Sequence, residues 1–190
     1  SVDPVFTAAQ VVTALQGIVS RNIDPDETAV VSVCSINGGD LNNVIPDTVA
    51  MKGTVRYFRK EMQGFFRTRI EEVVKGICCS GNAEYEFRYI PSYIPLVNSP
   101  EKTELLGKVF SAFFGEKCWS SSAPATTGGE DFSFFLDRKP GVFYRLGMGR
   151  EYPSLHNSKF DFNDNVIEKG IVSLCAAALG ALETPWLSDT

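Results

Sequence analysis

The sequence predicts an α/β fold whose first half is an α+β sandwich that lacks one strand. An amphipathic helix opens the chain, and two β-branched segments with period-two alternation follow it. A second amphipathic helix then precedes another alternating segment. This order, αββαβ, is one strand short of the ferredoxin-like βαββαβ fold, so we expect the missing first strand before Ser1. A sheet that lacks a strand has an unpaired edge.

Capping residues and alternation define the first three elements. Asp3 and Pro4 predict a helix start, because aspartate caps helix N-termini and proline fits the first helical position. The segment TAVVSVCSI, residues 28–36, predicts a β-branched strand. The segment TVAMKGTVRYF, residues 48–58, predicts a strand with one apolar and one polar face. The apolar face holds Val49, Met51, Val55 and Tyr57, and the polar face holds Lys52, Thr54 and Arg56.

A helix and a third strand complete the first half, which we assign to residues 1–92. The apolar stripe of the helix comprises Met62, Phe65, Phe66, Ile70, Val73, Val74 and Ile77. In NAEYEFRYIP, residues 82–91, aromatic and charged side chains alternate, which predicts the strand.

The second half, residues 93–190, is predicted to be part of a larger domain. Ser99 and Pro100 start a helix that Gly115 ends. GVFYRLG, residues 141–147, predicts a short buried strand. An amphipathic helix closes the chain with the apolar residues Val166, Ile167, Ile171, Leu174, Ala178 and Leu182. Because two helices and one strand form no complete domain, we expect the end of an α/β layer whose sheet lies elsewhere.

Composition excludes some functions. The net charge of −5 argues against nucleic-acid binding, which relies on clustered Lys and Arg. No apolar run approaches the roughly 20 residues of a membrane helix. The first residues have no features of a signal peptide. The five cysteines show no C-x-x-C spacing and are interpreted as reduced thiols, so we expect a reducing, cytoplasmic environment.

His156 is the only histidine in the chain, and two interpretations of it stand side by side. It is either an ordinary loop histidine or a metal ligand with Asp161 and Asp164 near enough to orient the imidazole. A catalytic metal site needs at least three protein ligands. If His156 is a ligand, its partners therefore come from other residues or from another chain.

Arg56, Asn43 and a glycine pair are candidates for binding a substrate. An arginine fork reads a carboxylate, and an asparagine amide donates to a carbonyl oxygen or a developing oxyanion. The alternative for Arg56 is a solvated sheet face. Gly128 and Gly129 allow close approach of the backbone to a ligand, or they belong to a loop that caps a short helix with Glu130 and Asp131.

Four segments in order resemble one family. They are VDPVFTAAQVVTALQGIVSRNIDP (2–25), INGGDLNNVIPDTVAMKGTVRYF (36–58), GGEDFSFF (128–135) and LHNSKFDFND (155–164). They are similar to the zinc- or manganese-dependent amidohydrolases that include hippurate hydrolase, aminoacylase and the indole-acetyl-amino-acid hydrolases. The resemblance covers nearly the whole chain.

The resemblance implies a βαββαβ lid, or dimerisation, domain at residues 1–92, followed by the C-terminal part of a metallohydrolase catalytic domain at 93–190. It implies that His156 is the last ligand of a two-metal centre, and that Asn43 and Arg56 grip the substrate's carboxylate side. Gly128 and Gly129 would line the site beside the metals. The other ligands and the general base would precede Ser1, so no catalytic residue is expected on this chain.

Two hypotheses follow from the resemblance. The chain is a partial copy of a hydrolase of N-acyl amino acids, inactive alone and forming a homodimer through the lid. Alternatively, it is a non-catalytic interaction module derived from that family. Neither hypothesis involves nucleic acid or a membrane.

Overall fold

The computed structural model of the chain describes residues 2–149 and 151–183. Its contacts divide the chain into two compact units. The first comprises Ser1–Leu96 and Thr126–Ser133, and the second comprises Val97–Ala125 and Phe134–Thr190. The domain boundary expected at residue 92 stays a prediction. That prediction did not include residues 126–133 in the first unit, where the contacts place them.

The first unit consists of two helices and an antiparallel hairpin. Its elements are α1 (Pro4–Asn22), β1 (Ala29–Asn37), β2 (Ala50–Tyr57) and α2 (Met62–Ser80). The predicted start of α1 is confirmed, because Oδ1 of Asp3 accepts hydrogen bonds from the backbone N–H groups of Val5 and Phe6, at 2.9 and 3.1 Å. The four elements lie where the sequence patterns predict them.

The hairpin register separates an apolar face from a polar one. Val31 pairs with Val55 and faces the core, whereas Val30 pairs with Arg56 on the opposite face. A β-bulge between Val33 and Ser35 shifts the pairing by one residue. The core of the unit contains the buried residues Val11, Leu15, Ile18, Ala29, Val31, Met62, Phe66 and Ile70.

The predicted strand at 82–91 is wrong as a strand. Among the described residues the sheet contains β1 and β2 alone, and no backbone hydrogen bond joins residues 84–92 to another segment. Phe87 and Tyr89 nevertheless pack against the core, as their alternation indicates. Alternation determines which side chains face inward, but a strand also requires a neighbour to bond with. In the split βαβ order one strand separates this segment from β2, and the described residues supply none there.

The second unit is helical in its described residues. It contains α3 (Pro100–Phe114), most of the four-residue α4 (Ser133–Leu136) and α5 (Ile167–Glu183), with short 3₁₀ turns at Glu116–Cys118 and Asp164–Val166. The helix predicted to start at Ser99 and to end at Gly115 is confirmed.

The predicted strand at 141–147 is also wrong. The side-chain amide of Asn98 donates to the carbonyl of Phe143 at 2.9 Å and accepts from its N–H at 2.8 Å. The N–H of Ser99 donates to the carbonyl of Gly141 at 3.0 Å. Two of these three hydrogen bonds come from the side chain of Asn98 and none comes from a neighbouring strand.

Helices α3 and α5 pack through a small core of Leu106, Phe110 and Ala176. A Cβ at Gly180 would lie 2.5 Å from Cγ2 of Val109, so this glycine permits the close approach of the two helices. The apolar stripe predicted for α5 does not form this contact. Five of its six members are exposed, namely Ile167, Ile171, Leu174, Ala178 and Leu182, and Val166 is buried.

Residues Asp164–Leu182 are long and apolar enough, by length and composition, to cross a membrane. This segment departs from the sequence expectation that no apolar run approaches this length, although it contains Glu168 and Lys169. The same composition is typical of a helix in the core of a soluble domain.

Candidate functional site

Arg56 lies on the polar face of the hairpin in the first unit. The residue is half-buried and stands directly opposite Val30, beside the Ser32–Thr54 pair. Because the core face is filled by Val55 and its neighbours, strand alternation directs Arg56 away from the core. The predicted two-faced strand is therefore confirmed.

Gly129 lies against Arg56, although 73 positions separate them in the sequence. A Cβ at Gly129 would lie 3.2 Å from Nη1 of Arg56 and 2.5 Å from Cδ2 of Tyr93. The same atom at Gly128 would meet nothing closer than Oγ1 of Thr126, at 3.7 Å. The structure thus brings two of the predicted site residues together and adds Tyr93, which the sequence reasoning missed.

The acidic residues after the glycines act locally. Oε1 of Glu130 accepts a hydrogen bond from the N–H of Phe132 at 3.3 Å, and its carbonyl accepts from the N–H of Ser133 at 3.2 Å. These bonds favour the capping interpretation of Glu130. The hydroxyl of Ser133 is buried, and it has no hydrogen-bond partner in the described part of the chain.

Asn43 lies in the exposed loop 38–49 that joins β1 to β2. The loop begins tightly, since a Cβ at Gly38 would lie 2.6 Å from Cγ2 of Val49. Beyond this point Leu41, Val44 and Ile45 are exposed. The amide of Asn43 makes no hydrogen bond within residues 2–149 and 151–183, and its role stays a prediction.

His156 lies in an exposed loop of the second unit with left-handed backbone, at φ +66°. Histidine is one of the few residue types enriched in that conformation. Turns on the C-terminal side order the loop, because the N–H of Asn157 bonds the carbonyl of Ser154 and the N–H of Phe160 bonds that of Asn157. The expected orientation of the imidazole by Asp161 or Asp164 is absent among the described hydrogen bonds.

A metal centre does not fit the described residues by themselves. Among them, no three His, Cys, Asp or Glu side chains come together closely enough to hold an ion. His156 can contribute one imidazole nitrogen, but a catalytic site needs at least three ligands. We therefore derive no reaction step through a metal.

The sequence carried no signal for Tyr93, because its contact with Gly129 connects two segments that are distant in the chain. A glycine followed by acidic residues indicates a loop, but it does not indicate which side chain fills the space above the glycine. Ser133 is similar, since nothing in GGEDFS shows that its hydroxyl is buried.

Comparison with known proteins gives one family. A model of peptidase family M20/M25/M40 matches residues 7–180. The N-acetyldiaminopimelate deacetylase of Streptococcus suis is 37% identical over 166 residues, which are 87% of this chain and 44% of that protein. Thermostable carboxypeptidase 2 of Saccharolobus solfataricus is 31% identical over 185 residues, which are 94% of this chain and 46% of that protein.

A solved structure agrees with these matches. The YXEP protein of Bacillus subtilis, described as a dinuclear metal-binding peptidase of the M20 family, superimposes with a TM-score of 0.76 at 28% identity. The superposition covers 96% of this chain and 47% of that one. The chain spans less than half the length of these relatives.

Proposed function

The chain belongs to peptidase family M20/M25/M40, and we propose that the complete protein hydrolyses the amide bond of N-acyl amino acids. Family membership supports a hydrolase, and the relatives include a deacetylase and a carboxypeptidase. A hippurate-like or indole-acetyl-amino-acid-like substrate is our proposal for this protein. All such substrates have a free carboxylate next to the amide that is cleaved.

The observation that supports this substrate class is the position of Arg56. Its guanidinium lies on the polar sheet face beside the glycine loop, where Gly128 has no side chain and little crowding, so a planar ligand can approach the backbone. An arginine fork binds a carboxylate through two parallel hydrogen bonds. We assign Arg56 and Asn43 to the carboxylate side of the substrate, and Gly128 and Gly129 to the wall of the site.

Metal dependence is the second part of the proposal. The YXEP protein is described as dinuclear, which supports a divalent-metal requirement in general. We propose two zinc or manganese ions in the complete enzyme, with His156 as one ligand and the other donors outside the described residues. The exposed position and left-handed backbone of His156 are consistent with a metal ligand whose partner ligands lie elsewhere.

We further propose that residues 1–92 are a lid of the βαββαβ type without its first strand, through which a cytoplasmic homodimer forms, and that the isolated chain has no appreciable amidase activity. Turnover of hippurate by the pure chain, abolished by His156→Ala, would contradict the inactivity. Equal turnover by wild type and His156→Ala would instead indicate a contaminating hydrolase.

The deciding experiment compares Arg56→Gln and Arg56→Lys in the complete protein. Charge-assisted hydrogen bonds contribute about 1.5–3 kcal/mol, so Arg56→Gln should raise the KM for hippurate roughly 10- to 100-fold. Arg56→Lys keeps the positive charge but not the two-pronged guanidinium, so its KM for hippurate should lie between those of the wild type and Arg56→Gln. Lys52→Gln, on the same face of β2, is the control. An unchanged KM in both Arg56 variants would refute the carboxylate assignment.

A second candidate is a non-catalytic interaction module. The apolar residues exposed on α5 favour it, because large exposed apolar patches mark contact surfaces. Sedimentation of the pure chain at several concentrations tests it. Concentration-dependent association would support this candidate, and a monomer at every concentration would count against it.

A further inference from the structure

We infer that Tyr93 is a positioning residue whose ring packs against Gly129 and holds the guanidinium of Arg56 on the polar sheet face. The purpose of this arrangement rests on the proposed function, but its geometry does not. All three residues belong to the first unit.

The glycine at 129 is required by its neighbours and not by its backbone. Gly39, Gly115 and Gly149 are the described glycines with positive φ, so Gly129 has an ordinary conformation that any residue could adopt. What excludes a side chain is the space. The point where a Cβ would stand is 2.5 Å from one carbon of the Tyr93 ring and 3.2 Å from another. No real Cβ tolerates the shorter distance, so the ring or the loop would have to move.

The same point lies 3.2 Å from Nη1 of Arg56. The tyrosine ring and the guanidinium therefore both border the space above Gly129, and the position of the ring limits the room that the guanidinium has. A tyrosine side chain has only two torsion angles, so it forms a rigid wall at a small entropic cost. Gly128 lacks this crowding, although it is the adjacent residue.

Restricting Arg56 before a ligand arrives favours binding. A free arginine side chain has about 2 kcal/mol of rotamer entropy, part of which is lost when its fork is fixed on a carboxylate. A side chain that is already restricted loses less rotamer entropy when a ligand binds. Tyr93 thus acts through Arg56 and need not touch the substrate.

The test is NMR relaxation at Nε of Arg56 in the 190-residue chain, assigned with Arg56→Lys. In the wild type, Nε of Arg56 should be more ordered than Nε of the exposed Arg88, and its protons should show a ring-current shift. Tyr93→Leu and Gly129→Ala should lower the order parameter of Arg56 below about 0.6. Tyr93→Phe and Gly128→Ala should leave it unchanged.

Arg56 as mobile as Arg88 in the wild type would overturn the inference without recourse to any variant. So would an order parameter that is unchanged in a folded Tyr93→Leu chain. In the complete enzyme, Tyr93→Leu should raise the KM for hippurate by a factor about tenfold larger than its effect on kcat. Tyr93→Phe, which keeps the ring, should have the KM of the wild type. If Tyr93→Leu releases Arg56 but Arg56→Gln leaves KM unchanged, the proposed function fails and the positioning role stands.

Discussion

The two units differ in how far they bury their own apolar residues. In the first unit, eight buried residues from both helices and β1 form one core, with eleven half-buried apolar residues packed around it. In the second unit, three buried residues form the core between α3 and α5, with five more around it. Large apolar side chains on α5 are exposed instead, among them Leu174 at 64% and Leu182 at 75%.

This difference indicates which unit buries more of its apolar surface internally. A hairpin covered on one face by two helices buries its apolar face internally, and its other face is polar. A helix that is apolar on several sides requires neighbours on several sides. Helix α5 has α3 on one side and exposed apolar residues elsewhere, so we expect the second unit to be the less stable of the two.

The largest effect is expected for Phe66→Ala in the first unit. Phe66 is fully buried. Its ring stacks on that of Tyr57 with 6.0 Å between the ring centroids, and it packs edge-on against Phe65 with 5.3 Å between the centroids. Its truncation should lower the free energy of unfolding by about 3–5 kcal/mol. Urea denaturation followed by circular dichroism measures this loss. Ile90→Ala, at a residue that is 68% exposed in the same unit, is the control and should change stability by less than about 0.5 kcal/mol.

Phe110→Ala should have the next largest effect, confined to the second unit. Phe110 contacts Phe114, Trp119 and Tyr144 edge-on and is the centre of the small core. We expect a loss of about 3 kcal/mol, because a small core has room to relax around the cavity. Phe113→Ala, at a 55% exposed residue of the same helix, is the matched control. Equal losses in the two variants would contradict a core centred on Phe110.

Alkaline pH should weaken the first unit to a smaller extent. Burial raises the pKa of Tyr57, and burial together with repulsion from Tyr57 raises the pKa of Tyr89. The neutral form is therefore favoured in the folded state. The corresponding stability is complete below the unfolded value of about 10 and is lost as pH rises through the raised folded values. Melting temperatures between pH 8 and 11 should fall less steeply in a Tyr57→Phe/Tyr89→Phe variant. An identical slope in both proteins would exclude the two tyrosines as the cause.

The smallest effect on stability is expected for Leu174→Gln on the exposed stripe of α5. Because the side chain makes little contact within its unit, the free energy of unfolding should change by no more than about 0.5 kcal/mol. Association of the chain, measured by sedimentation, should decrease. Ala176→Gln on the same helix, at a 1% exposed position, should instead destabilise the unit. A large loss of stability in Leu174→Gln would mean that the stripe is covered within the unit.

Local patterns predicted six of the elements, and non-local pairing accounts for the failures. Helix α1 and strand β2 follow from Asp3-Pro4 and from the alternation around Arg56, which depend on neighbouring residues only. The segments 82–91 and 141–147 have the composition of strands, but the described part of the chain offers them no strand to pair with. The same limit applies to α5, whose periodicity identified the helix without identifying the face that meets α3.

In the candidate site, too, local sequence predicted some features and packing between distant segments determined the others. Alternation predicted the face on which Arg56 lies, and loop chemistry drew attention to Gly129. The proximity of Gly129 to both Arg56 and Tyr93 depends on how three distant segments pack, and no spacing in the sequence shows that. His156 was selected because it is the only histidine, but its left-handed backbone is visible in the structure alone.

The loop 38–49 gives the hairpin a consequence for engineering. The paired residues Asn37 and Ala50 close the loop, so its length can change without altering the register of the strands. Lengthening a flexible loop is inexpensive, at about 0.6 kcal/mol for each doubling. Residues inserted near Leu41 would move Asn43 relative to Arg56 while leaving both strands intact. The span between the amide and the guanidinium can therefore be adjusted independently of the two strands.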